Sequence, residues 1–212
     1  MRRVVIDPSH PQPARIAAVA ALLREGAVVA VPTDTVYGLA ADAADAEAVA
    51  RVFAAKGRAE DKPLPVFISG VEEARALAAE WSPVAERLAR AFWPGALTLI
   101  VPARPGSPAA LASATGTIAL RQPRGAIVAA LLAAVRVPLT GTSANRSGQA
   151  ACRSAAEVES QLGGRVACIV DGGPSPAALP STILDLTGAA PRLAREGAIA
   201  RSAIAAVAPL CA

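Results

Sequence analysis

Short, wholly apolar runs alternate along the chain with segments whose apolar residues recur at helical spacing, and that alternation predicts most of the elements. Residues 14–25 carry an amphipathic helical pattern followed by Gly26, which reads as a helix closed by a glycine C-cap. The run Ala27-Val28-Val29-Ala30-Val31 ends at Pro32 and fits a strand buried on both faces. By the same reading 4–6 is a strand, 45–56 a helix ending at Gly57, 58–63 a loop and 64–68 the next strand. Ser69-Gly70-Val71-Glu72 and Ser154-Ala155-Ala156-Glu157 match the capping box and open helices near 70–80 and 154–161, while Ser82-Pro83 opens one running toward Phe92. Strands at 96–101, 117–120, 137–140, 167–170, 181–186 and 192–194, with a helix at 127–135, complete the prediction. Helices and strands alternate, and several late strands are consecutive and so suited to antiparallel pairing. The expectation is an α/β fold with a twisted mixed β-sheet and flanking helices, forming one domain over residues 1–212.

Composition narrows the chemistry. Hydrophobic residues make up 53% of the 212 positions and mean hydropathy is +0.42, but the excess is largely alanine. No run reaches the roughly 18 consecutive apolar residues of a membrane helix. The N-terminus starts basic but meets Asp7 and Pro8 before any long apolar stretch, unlike a signal peptide. Cys152, Cys168 and Cys211 show no metal-ligand spacing and their odd number gives no disulfide framework, so a reduced, cytoplasmic protein without a metal site is expected. His10 is the only histidine, which disfavours a histidine-based triad or a multi-histidine zinc centre. A net charge of +4 and a pI near 9.5 favour anionic partners. Aromatic content of 3% argues against stacking on single-stranded bases.

The basic residues are unevenly chosen. Of 21, only Lys56 and Lys62 are lysines, both in the stretch Lys56-Gly57-Arg58-Ala59-Glu60-Asp61-Lys62. A chain that uses arginine everywhere else keeps lysine where a compact ammonium is needed, and such a point charge suits phosphate. Four polar segments interrupt the apolar elements at predicted strand ends: residues 32–39, this lysine loop, Arg121, and residues 141–148. Strand ends are where open α/β sheets place ligands. Each segment also has an ordinary reading: Asp34 and Thr35 as a side-chain turn, Ser143 and Asn145 as caps. Together they supply the cations, hydroxyls and backbone NH groups that a triphosphate needs once water leaves. Neither a P-loop nor a dinucleotide-binding glycine motif is present.

Pro32-Thr33-Asp34-Thr35-Val36-Tyr37-Gly38-Leu39, Lys56-x-Arg58, Trp93-Pro94-Gly95-x-Leu97-Thr98, Ser143-x-Asn145, Ser181-Thr182-Ile183 and Arg195-x-Gly197 follow one another over roughly residues 14–200. In that order they resemble the threonylcarbamoyl-AMP synthase family, also called YrdC or TsaC. The resemblance implies a twisted mixed sheet around a concave cavity. It implies synthesis of L-threonylcarbamoyladenylate and pyrophosphate from L-threonine, bicarbonate or CO2, and ATP with Mg2+, for the tRNA modification t6A. Carried onto this chain, Thr35, Arg121, Gly141 and Ser181 would bind L-threonine, with Arg121 taking its carboxylate. Arg58, Lys62, Thr117, Ser143, Asn145 and Arg195 would bind ATP, and Lys56 with Arg58 would neutralise charge in the transfer step. The implied partners are tRNA or other proteins of the t6A pathway, and no membrane. Phe67 stands where some relatives carry histidine, Pro123-Arg124-Gly125-Ala126 replaces a Pro-x-His-Pro, and Leu179-Pro180 replaces the commoner residues before Ser181. The end soon after Arg201 matches the short, single-domain form. Two other functions fit the same residues: a non-catalytic module binding double-stranded RNA or tRNA, and a related carbamoyl-adenylate enzyme with another acceptor.

Overall fold

The apolar runs become strands, and the strands form two mixed sheets rather than the expected one. The structure is a computed structural model that describes residues 1–58, 64–108, 111–113, 115–177 and 179–211. Along the chain the first half holds β1 (Arg2–Val5), α1 (Pro13–Arg24), β2 (Val29–Val31), β3 (Gly38–Ala40), α2 (Ala46–Lys56), β4 (Val66–Phe67), α3 (Val71–Leu77) and α4 (Pro83–Phe92). Then come β5 (Leu97–Pro102), β6 (Thr117–Arg121), α5 (Ala126–Val135), β7 (Leu139–Thr140), β8 (Thr142–Ser143) and α6 (Ala155–Leu162). The last elements are β9 (Cys168–Asp171), β10 (Thr182–Asp185), β11 (Arg192–Arg195) and α7 (Arg201–Val207). The first sheet runs β1-β9-β2-β3-β8 and the second β11-β10-β5-β6-β4-β7. Both mix parallel pairs, such as β2 with β9 and β4 with β6, with antiparallel ones, such as β2 with β3 and β5 with β6. No helix among the described residues is long and apolar enough to cross a membrane.

Alternation along each strand decides what its two faces meet. In β2, Val29 and Val31 pack with Ile16, Val19 and Leu23 of α1 and Val128 and Leu131 of α5, whereas Ala30 packs with Val52 and Phe53 of α2 and Val158 of α6. Helices therefore cover both faces of the first sheet. The second sheet is different. Leu97, Leu99 and Val101 of β5 and Ile118 and Leu120 of β6 pack against Leu88 of α4 and Ile204 of α7. The residues between them, Ile100, Ala119 and Arg121, face a cavity instead.

The caps follow local chemistry. Gly26 (φ 75°) and Gly57 (φ 60°) take the left-handed conformation that ends α1 and α2. At the first, Ala27 N bonds Leu22 O and Gly26 N bonds Leu23 O, which satisfies carbonyls the helix leaves open. Asp45, Ser82 and Ser154 each accept a first-turn NH with the side chain. The expected box at Ser69 is shifted by one residue: Ser69 N and Oγ both bond Glu73, at 2.7 and 2.6 Å, and not Glu72.

The two sheets meet where the chain steps from β7 to β8 through Gly141. Thr140 closes the second sheet's edge and also bonds the first, its Oγ1 accepting from Ala41 N at 3.0 Å and donating to Leu39 O at 2.9 Å. Two residues later the chain pairs with β3. This crossing places backbone from both sheets at the cavity's mid-line.

Candidate active site

The cavity lies between the exposed face of the second sheet and the β3–β8 edge of the first. Its wall includes Thr35, Arg58, Arg121, Gly141, Ser143, Ser181 and Arg195, seven residues drawn from sequence positions 35 to 195. The apolar part comes from Val36, Pro65, Phe67, Ala119 and Ile183. No described carboxylate side chain lines it. Thr117 stands apart, its amide bonded to Ser113 Oγ at 3.1 Å and its hydroxyl 2.8 Å from the same atom. Asn145 and Lys56 sit behind the wall, and Lys62 lies outside the described residues.

Lys56 is placed by the last turn of α2 and is only 4% exposed. Its ammonium donates to Ser143 O, to Asn145 O at 3.0 Å and to Asn145 Oδ1 at 3.2 Å. Three hydrogens thus meet three oxygens, and none is left for a ligand. Burial lowers its pKa to about 8, with the Arg58 charge adding to the effect. In this geometry the ammonium is directed at protein oxygens and not into the cavity. The ammonium instead clasps the Ser143-x-Asn145 turn to the helix end, where Ser147 N also bonds Lys56 O at 2.9 Å. Asn145 spends its amide hydrogens on Arg146 O and Gln149 O, at 2.9 and 2.8 Å.

Arg121 ends β6 beside Phe67, its parallel partner, with the guanidinium carbon 5.7 Å from the ring centroid. Nε donates to Gly95 O at 2.9 Å, NH1 to Thr35 Oγ1 at 3.0 Å and NH2 to Asp34 Oδ1 at 2.6 Å. Burial lowers its pKa and the Asp34 charge opposes that; the two side chains form a salt bridge at 2.6 Å. A guanidinium has five hydrogens, which leaves two beyond these anchors. Thr33 organises the same loop, accepting from Thr35 N at 3.1 Å and donating to Val36 O at 2.7 Å.

Arg195 anchors in a similar way. Nε and NH2 donate to Ser181 O, at 3.1 and 2.7 Å, and NH2 also reaches Ser181 Oγ at 3.2 Å. Neither hydrogen of NH1 has a partner among the described residues. Gly197 is required here because a Cβ would lie 2.3 Å from Pro180 O.

Gly141 is equally constrained, since a Cβ would stand 2.5 Å from the Phe67 ring. Phe67 fills the mid-line and leaves room for backbone alone. Sequence reasoning gave no site role to Asp34, Thr98 or Gly95. The first is visible beside Thr35, but its pairing with Arg121 spans 87 positions. The other two sit in the Trp93–Thr98 motif, and only the fold brings that motif to Arg121 and Ser181.

The fold and the cavity define an α/β protein with a pocket lined by three arginines. The family described as Sua5/YciO/YrdC, telomere recombination, matches residues 21–197, and the chain belongs to it. The chain is 41% identical over 185 residues to the threonylcarbamoyl-AMP synthase of Pyrococcus abyssi (strain GE5 / Orsay), covering 87% of this chain and 54% of that protein. It is 42% identical over 205 residues to the threonylcarbamoyl-AMP synthase of Bacillus subtilis (strain 168), covering 96% and 59%. The crystal structure of P. abyssi Sua5 complexed with L-threonine superposes with a TM-score of 0.94 at 38% identity, over 98% of this chain and 61% of that one. The chain thus spans well under two thirds of the length of these relatives.

Proposed function

We propose that the chain forms L-threonylcarbamoyladenylate and pyrophosphate from L-threonine, bicarbonate and ATP, as a nucleotidyltransferase. One observation carries the reading: residues scattered over the sequence converge on a cavity lined by three arginines, six hydroxyl side chains and no described carboxylate. Similarity to proteins named for that activity supports it. The deprotonated amine of threonine attacks CO2 with loss of a second proton, or bicarbonate with loss of water, and the resulting N-carboxylate oxygen displaces pyrophosphate from the α-phosphate. Negative charge grows on the leaving group and the α-phosphoryl oxygens, and arginine hydrogens fixed in advance offset it. Arg121 and Thr35 suit the threonine carboxylate, and Arg58, Ser143 and Arg195 the nucleotide. Lys56 and Asn145 hold Ser143 in place. Among the described residues no group of three or more His, Cys, Asp or Glu could hold a metal ion. Mg2+ would then be held by phosphate oxygens and water.

We further read residues 1–212 as one domain working in the cytoplasm, where free Cys152, Cys168 and Cys211 stay reduced, and passing its adenylate toward tRNA. The test is incubation of pure protein with ATP, Mg2+, bicarbonate and each amino acid in turn, with pyrophosphate measured. Threonine-dependent release is expected. Its absence, with tight salt-sensitive RNA binding, would replace the synthase by a binding module.

A further inference from the structure

Thr98 is fully buried in β5 and takes no part in the reaction outlined above. Its hydroxyl lies 2.8 Å from Ser181 Oγ, its one hydrogen-bond partner among the described residues. Counting protons fixes the direction of that bond. Were Ser181 the donor, the Thr98 proton would be buried without an acceptor, an arrangement native interiors avoid. Thr98 is therefore the donor and fills one Ser181 lone pair. Arg195 NH2, at 3.2 Å, fills the other. The proton of Ser181 itself is left unassigned, on a residue that lines the cavity.

We infer that Thr98 is a positioning residue that, with Arg195, makes Ser181 a hydrogen-bond donor toward the ligand. The site then selects an acceptor atom at that point, a carboxylate, carbamate or hydroxyl oxygen, and selects against an ammonium. Within the synthase reading, on which this rests, Ser181 meets an oxygen of threonine or of its N-carboxylate, not the protonated amine.

The experiment compares wild type, Thr98→Val, Thr98→Ser, Ser181→Ala and the Thr98→Val/Ser181→Ala double variant. It measures pyrophosphate release against threonine concentration, threonine binding by calorimetry, and melting temperature. Valine matches the shape of threonine and replaces its hydroxyl, donor and acceptor alike, by a methyl. Thr98→Val is expected to lose about tenfold in kcat/KM, Thr98→Ser to stay within about threefold of wild type, and Thr98→Val to add under about twofold once Ser181 is alanine. Should valine fail to pack, Thr98→Ala carries the same prediction. Full activity in Thr98→Val, or an undiminished effect in the Ser181→Ala background, overturns this inference alone. Wild-type protein that neither binds threonine nor releases pyrophosphate overturns the synthase reading and this inference with it.

Discussion

The lysine behind the cavity and the arginines in its wall are built on opposite plans. Lys56 has three hydrogens and three protein oxygens around them. Arg121 and Arg195 each have five hydrogens and give three to the protein. The arginines are thus fixed and still have donors to offer, while the lysine is spent. A buried cation acts on a ligand only through donors its surroundings leave free, so the chemistry of a cationic site is read from saturation and not from charge. This also explains the choice of residue. A compact ammonium fits three oxygens gathered at one helix end, which a planar fork cannot match.

The largest effect should come from breaking the spent cation. Lys56→Met leaves Ser143 O and Asn145 O and Oδ1 without their donor, costing about 2–4 kcal/mol of stability. It should cut kcat/KM about 100-fold, read by pyrophosphate release and chemical denaturation. Lys56→Arg should retain the fold yet lose about 30-fold, because it keeps the charge but not the shape; near-normal activity would break the comparison. Next in size is Arg121→Lys, which gives up the fork. The KM for threonine should rise about 20-fold with a smaller change in kcat, since a positioned contact made before the chemical step is lost.

Gly141→Ala should be milder in its chemistry but clear in stability. The added methyl meets the Phe67 ring at 2.5 Å, and overpacking of this kind costs about 1–3 kcal/mol. Phe67→Leu in the same chain should restore part of that loss. Denaturant midpoints check both.

That pair shows where the sequence could be read and where it could not. Apolar runs, glycine C-caps and side-chain N-caps are local signals, and β2, α1, α2 and α4 follow from them. β3 and β8 escape a local reading because they are two or three residues long, adjoin or carry polar residues of the cavity wall, and pair with each other across about 100 positions. α7 has alanine at three of its seven positions and buries only Ile204, which gives little contrast along the chain. Two sheets in place of one follow from long-range pairing at Thr140 and Gly141, which no local pattern encodes. Most of the cavity-lining polar residues were legible as motifs. The saturation of Lys56, which separates brace from ligand, required the fold.

The smallest predicted effect concerns pH. The Lys56 ammonium is present below its lowered pKa of about 8 and lost above it, so kcat/KM should fall as pH rises through about 8. Stability should move the other way. With a folded pKa near 8 and an ordinary value of 10.5, the unfolded chain binds more protons between those limits, and this lysine makes unfolding costlier as pH rises through them. Activity profiles and urea melts at pH 7.5 and 9.5, with Lys56→Met as the control that lacks both trends, separate the two.

The most direct test is a crystal structure with L-threonine and a non-hydrolysable ATP analogue bound. The account predicts that Lys56 Nζ stays on Ser143 O and Asn145, while the unspent hydrogens of Arg121 and Arg195 meet ligand oxygens. A Lys56 ammonium turned away from that turn and seated on a phosphate oxygen would contradict it.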